Sequence, residues 1–260
     1  MSLKSKLRKY FIKTKTVDTF KIGDILYKVI DRKCFLPSYK NRRDLLFKTE
    51  DSKYVYSHSA VFLDTKNVFQ PVLSTPQKLI DAWSKRGNVD NALVLGCAGC
   101  TIPRFIALKY PQCKTVGIEY EEKFIEIAWK YFWIPEFDSK FQLLHGDAFK
   151  YVKDTDGEKY DIICVDVFSE NQLPQDIFSE EFLSNVNDCS NDNSIIIFNL
   201  LEEAMDNVLP FAKALPDYFN EKYIINYDIH CFLVAIKSVN ATGKNGFIES
   251  LKQIGNVTTL

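Results

Sequence analysis

The chain has 260 residues, 46% of them hydrophobic and 26% charged, and 33 basic residues stand against 34 acidic ones for a net charge of −1. These proportions suit a globular chain with a full apolar core and exclude an extended disordered or low-complexity protein. They also exclude a global field that would gather nucleic acid or an anionic membrane, so neither is an expected partner.

Residues 1–16 carry Lys4, Lys6, Arg8, Lys9, Lys13 and Lys15 and no acid. Such a run reads as a solvated terminus, with a polyanion-binding arm as the alternative. No apolar core accompanies these cations, so no signal peptide is expected. No apolar stretch reaches the roughly 18–20 residues that span a bilayer. A cytoplasmic protein is the expectation. Residues 1–75, with this basic arm, read as a small antiparallel β region. Its strand-like runs are Phe20–Ile30, Asp44–Lys48 and Tyr54–Leu63, the last alternating apolar and small polar side chains as a half-buried strand does. A lid or a dimerisation piece suits it, and a homodimer is expected.

Residues 76–260 read as one α/β domain. Ser74-Thr75-Pro76 opens a helix with a capping residue and a proline in the first turn, and the helix stops at Gly87. Strand Ala92–Leu95, helix Ile102–Tyr110, strand Thr115–Ile118, helix Glu121–Phe132 and strand Phe141–Leu144 follow. Strand Asp161–Val165, helix Ser179–Val186, strand Ser194–Asn199 and a helix near Glu202–Leu215 come next. Tyr223–Tyr227 and Cys231–Ile236 are close enough for a hairpin, and a helix near Gly246–Ile254 closes the chain. Strands apolar on both faces, separated by helices, specify a doubly wound, mostly parallel sheet.

The turn after Ala92–Leu95 is Gly96-Cys97-Ala98-Gly99. Its small residues let the backbone turn sharply and approach a ligand. Seven cysteines, an odd number scattered over a long chain, do not make a disulfide framework, and Cys97 with Cys100 reads as a pair of small side chains in a tight loop rather than a zinc or redox site. No metal is expected. Glu119 ends the next strand, 23 residues after Gly96, where a carboxylate can accept hydrogen bonds from a ribose diol. Asp147 ends the third strand before Ala148, and Asp166 ends the fourth. Each acid alone could be a helix N-cap. Together, at the carboxyl ends of consecutive strands, they point into the crevice where open α/β sheets bind ligands. The set suits an adenosine, with its ribose on Glu119 and its adenine amino group on Asp147. The spacing departs from Gly-x-Gly-x-x-Gly, and no phosphate-cradling lysine is present, which argues against a dinucleotide and ATP.

Leu93 to Gly99, Gly117-Ile118-Glu119, Gly146-Asp147-Ala148 and Tyr160 to Asp166 resemble the spermidine-synthase-like branch of the class I S-adenosylmethionine-dependent transferases. Leu173-Pro174 with Phe178 to Phe182, and the β region ahead of the domain, fit the same pattern. The resemblance implies a Rossmann-like fold and a donor that is S-adenosylmethionine or its decarboxylated form. It implies that Gly96, Cys97, Ala98, Gly99, Glu119, Tyr120, Asp147, Ala148 and Asp166 hold the donor, and that Gln70 belongs to the same site. Two departures bear on the reaction. An aminopropyltransferase of this family carries an acid where Gly99 stands, and a second acid where Ser169 stands. A diamine held without paired carboxylates forgoes ionic hydrogen bonds of about 1.5–3 kcal/mol each. Methyl transfer to a small acceptor is therefore the first expectation, aminopropyl transfer the alternative, and a non-catalytic nucleoside-binding or scaffold role the third.

Asp166 is the expected base. Phe168, Ser169, Glu170 and Asn199 are the expected acceptor contacts, with Asp176 and Glu180 on an acidic stretch suited to a cationic acceptor. Tyr120 and Phe168 are placed to flank adenine. His58 and His230 fall on strand-like segments and are expected to be surface or core residues rather than catalytic ones.

Overall fold

A computed structural model describes residues 12–34, 40–49, 55–133, 139–155, 157–168, 173–200, 205–217, 219–227, 230–238 and 244–260. Four antiparallel strands come first: β1 (Ile12–Ile22), β2 (Ile25–Cys34), β3 (Arg42–Lys48) and β4 (Tyr56–Phe62). The run Phe20–Ile30, expected as one strand, is instead the turn of the β1–β2 hairpin at Gly23-Asp24. Continuous strand-forming residues on both sides of that turn hide it from a pattern search. β1 also reaches back to Ile12, so Lys13 and Lys15 of the expected arm lie on a strand, and residues 1–11 lie outside the described residues.

The second sheet has eight strands. Its remaining members are β5 (Asn91–Leu95), β6 (Lys114–Glu119), β7 (Phe141–His145), β8 (Tyr160–Val165), β9 (Ser190–Asn199), β10 (Glu221–Tyr227), β11 (His230–Ser238) and β12 (Asn256–Thr259), in the order β12-β10-β11-β9-β8-β5-β6-β7. β9, β8, β5, β6 and β7 are parallel neighbours. β10 and β11 form the expected hairpin, antiparallel to β9, and β12 adds an edge strand that short polar composition concealed.

The helices are α1 (Ser74–Trp83), α2 (Thr101–Lys109), α3 (Glu122–Ile127), α4 (Ala148–Asp154), α5 (Glu180–Asp188), α6 (Met205–Ala214) and α7 (Lys244–Lys252). α3 runs on into a π-helical turn, Ala128–Phe132. Alternation along the strands divides the core into two layers. Ala92, Val94, Ile162 and Cys164 face α1, α2 and α7 through Leu79, Trp83, Phe105, Ile106 and Leu251. Leu93, Leu95, Ile163 and Val165 face α4, α5 and α6 through Val152, Phe182, Val186 and Phe211. Each such side chain, fully buried, contributes about 1.5–3 kcal/mol. Both faces are covered, as a parallel sheet requires.

The first sheet docks over the carboxyl edge of the second. Tyr27, Val29, Leu45, Phe47 and Val61 pack on Ala98, Phe124, Ile127 and Phe132. Arg104 of α2 stitches the contact, donating from Nη1 to the Phe132 carbonyl at 2.7 Å and from Nη2 to the Phe62 carbonyl at 2.9 Å. This docking roofs the crevice that the strand tips open onto.

Candidate functional site

Beneath the roof lies a cavity of about 350 Å³, a size typical of small-molecule sites. Its floor is the turn after β5. The Gly96 N–H donates to the Ile118 carbonyl at 2.9 Å and the Asp166 N–H to the Leu95 carbonyl at 2.8 Å, so the turn is sewn to both neighbouring strands. Gly96 has φ +82°, and a Cβ there would drive into the Asp166 carbonyl oxygen. Only glycine fits. Ala98 and Cys100 also take left-handed φ, 40° and 54°, without being glycine, a conformation held by its surroundings and often met at binding sites.

Those surroundings are mainly Glu119. Its Oε2 accepts from the Cys97 N–H at 3.0 Å and the Ala98 N–H at 2.7 Å, and its Oε1 accepts from the Glu121 N–H at 2.9 Å. The carboxylate expected on a ribose thus also holds the turn, while still lining the cavity. A carboxylate has about four lone-pair positions, so a further donor can be accommodated.

Gly96, Cys97, Ala98, Glu119, Tyr120, Ala148, Asp166, Phe168 and Asn199, all expected at the site, line this one cavity. Three expected residues do not. Gly99 lies behind the turn, its N–H donating to Ser59 Oγ at 3.0 Å. Gln70 is buried, its Oε1 accepting from the Phe62 N–H at 3.0 Å and its Nε2 donating to the Asn67 and Val68 carbonyls, both at 2.8 Å. Asp147 is exposed and caps α4, its Oδ1 accepting from the Phe149 N–H at 2.7 Å. Its neighbours Gly146 and Ala148 do reach the cavity, and a Cβ on Gly146 would meet nothing closer than Ile118 at 3.9 Å, so open space adjoins it. Ser169 and Glu170 lie outside the described residues.

Asp166 stands half-buried in the wall. Burial pushes its carboxyl up to about 6, the Asn199 hydrogen bond holds it lower, and the nearby Glu119 charge adds to the rise. Asn199 Nδ2 donates to Asp166 Oδ1 at 2.7 Å, which leaves Oδ2 to face the cavity. A carboxylate with this acidity is a usable proton acceptor near neutral pH. Burial raises the Cys97 and Cys100 thiols, so neither is an activated thiolate. Among the described residues no group of three or more His, Cys, Asp or Glu side chains is arranged to hold a metal ion.

The sequence reading missed the roof. His58 lines the cavity among Phe124, Phe47 and Tyr27, with ring centroids at 5.0, 5.8 and 6.1 Å. Burial lowers its pKa to about 4, so it is neutral. His230 lines the cavity as well. The signal for it was topological: a strand returning antiparallel to β9 begins at the edge where β9 ends.

A family model described as the spermine/spermidine synthase domain matches residues 83–221. The polyamine aminopropyltransferase of Vibrio vulnificus is 26% identical over 113 residues, covering 42% of this chain and 37% of that protein. The polyamine aminopropyltransferase of Methanocaldococcus jannaschii is 34% identical over 117 residues, covering 42% of this chain and 38% of that protein. The chain therefore matches well under half the length of these relatives. Among solved structures, a probable spermidine synthase from Corynebacterium glutamicum superposes with a TM-score of 0.68 at 16% identity, over 94% of this chain and 90% of that one.

Proposed function

This chain belongs to the spermine/spermidine synthase domain family, and from that premise we propose that it transfers the aminopropyl group of decarboxylated S-adenosylmethionine to a small cationic amine. The observation that carries the reading is Asp166. It is half-buried, tied on one oxygen by Asn199, has its acidity moved to about 6, and shares a cavity with the strained Gly96 turn. The names of the relatives favour aminopropyl transfer over the methyl transfer that the sequence reading put first.

The residues fit the donor. The Gly96 turn, free of a Cβ, allows close approach of a nucleoside, Glu119 presents its carboxylate beside it, and open space adjoins Gly146. When bound, a sulfonium supplies an activated carbon and a thioether leaving group, so the C–S electron pair departs with sulfur as the new C–N bond forms. The protein's part is positioning and proton acceptance. Asp166 Oδ2 takes the proton that the amine sheds on becoming a nucleophile, and the Asn199 bond fixes the plane of that carboxyl. The roof of Phe47, His58 and Phe124 keeps water from the sulfonium carbon.

One observation favours methyl transfer from ordinary S-adenosylmethionine as a second reading. Ser59 occupies the space beside Gly99, where a Cβ would come within 2.6 Å of Ser59 Cβ. The acid that the family resemblance implies at this turn position has no room. Titration calorimetry with each donor decides between the readings, with mass analysis of the product formed from each. Tighter binding of the decarboxylated donor and an aminopropylated amine support the first. Tighter binding of the carboxylated donor with a methylated product would replace it by the second.

A further inference from the structure

The hairpin brings to the cavity a polar group that the reaction outlined above does not use. β11 runs antiparallel to β9, pairing Phe232 with Asn199, and the Leu200 N–H donates to the Cys231 carbonyl at 2.9 Å. The first residue of β11, His230, therefore stands at the edge where the parallel strands end. Asp166, Asn199 and His230 follow one another at the tips of the adjacent strands β8, β9 and β11, and all three line the cavity. Neighbouring strands lie about 4.8 Å apart, which places His230 roughly 10 Å along the edge from Asp166.

The His230 ring is held on one side only. Phe232 is its aromatic neighbour, with centroids 6.3 Å apart. Its Nδ1 is shut away from solvent and has no hydrogen-bond partner among the described residues. A buried polar atom left unpaired costs about 1–3 kcal/mol, and native proteins keep few of them without a functional reason. A neutral imidazole nitrogen accepts or donates one hydrogen bond according to tautomer. Both possibilities suit an amine or hydroxyl on a ligand in the cavity.

We propose that His230 is a specificity-determining residue of the acceptor site, pairing through Nδ1 with a second polar group of an elongated acceptor whose nucleophilic amine lies at Asp166. The proposal rests on the transferase reading above. It selects acceptors that carry hydrogen-bonding groups at both ends. An alkylamine with one polar end leaves Nδ1 unpaired and is disfavoured.

The test compares putrescine with butylamine as acceptors, decarboxylated S-adenosylmethionine being the donor. In His230→Phe the ratio of kcat/KM for putrescine over butylamine falls about tenfold, the equivalent of about 1.4 kcal/mol, and the change sits in KM for putrescine. His230→Asn, whose amide reaches the place of Nδ1, recovers part of the ratio. Calorimetry with methylthioadenosine checks that both variants keep the donor site. An unchanged ratio in His230→Phe overturns the proposal. If the wild-type protein transfers to neither amine, the reaction reading fails, and NMR then decides on His230. The chain has three histidines, whose imidazole signals are assigned from single variants. A His230 signal that moves when putrescine is added with methylthioadenosine sustains the proposal, and one that stays fixed overturns it.

Discussion

The cavity has two unlike walls, and each holds a titratable group pushed towards neutrality. On the strand-tip wall, burial raises Asp166 to about 6, and the carboxyl keeps one hydrogen bond, from Asn199. On the roof, burial lowers His58 to about 4, and the ring sits among Phe124, Phe47 and Tyr27. The low dielectric acts alike on both, disfavouring charge. The difference is in what each group keeps. Asp166 has an oxygen free for a proton, and His58 packs as one more aromatic face. One wall is built for proton transfer and the other for exclusion of water.

Removing the base from the strand-tip wall has the largest effect. Asp166→Asn lowers the transfer rate by about 10²–10⁴-fold, the usual contribution of a positioned base. Calorimetry shows donor affinity retained, because the Gly96 turn is unaltered. The thermal midpoint does not fall, since the substitution removes a buried ionisable carboxyl. A loss of midpoint comparable to a core truncation would mean that Asp166 is structural.

The next effect sharpens the contrast between the walls and the floor. Glu119→Ala leaves three backbone N–H groups, those of Cys97, Ala98 and Glu121, without their acceptor. Hydrogen bonds to a charged group contribute about 1.5–3 kcal/mol each, and they hold two left-handed residues in place. The variant loses several kcal/mol of stability, of order 3–5, and nucleoside binding falls with it. Denaturant midpoints and methylthioadenosine calorimetry read the two losses. A variant of unchanged stability that binds less well would place Glu119 on the ligand alone.

How far the sequence reveals each wall depends on the range of the contacts. The strand-tip wall is legible because period-two apolar runs fix the strands and each run ends in a polar residue: Glu119, Asp166 and Asn199. Asp147 follows the same rule, and its Oδ1 serves as the helix cap that any such acid can be. The roof is not legible. Ser59 meets Gly99 across 40 residues of chain, and nothing in the alternation of Tyr54–Leu63 says which sheet edge that strand will cover. The left-handed Leu73 ahead of α1 is hidden for a similar reason. Ser74-Thr75-Pro76 promised a side-chain cap, yet the N-cap is Leu73, φ 53°, with no such bond, because Leu73 is drawn to the cavity wall.

The smallest effect separates the walls by the sign of their response to acid. The folded protein keeps a proton on Asp166 up to about pH 6, whereas the unfolded chain releases it near 3.8. Across that window the folded state binds more protons, so this wall gains stability as pH falls. His58 acts oppositely. The unfolded chain protonates it near 6.5 and the folded protein resists down to about 4, so the roof loses stability as pH falls. Between about pH 4 and 6 the two contributions oppose each other in the wild-type protein. Asp166→Asn leaves the His58 response alone and steepens the loss of stability on acidification. His58→Phe leaves the Asp166 response alone and flattens that loss. Denaturant midpoints of both variants and the wild type across this range measure the difference, which groups elsewhere in the chain share and therefore cancel. Parallel curves for all three proteins would mean that at least one wall is wetter than its burial implies, and the contrast between them would fail there.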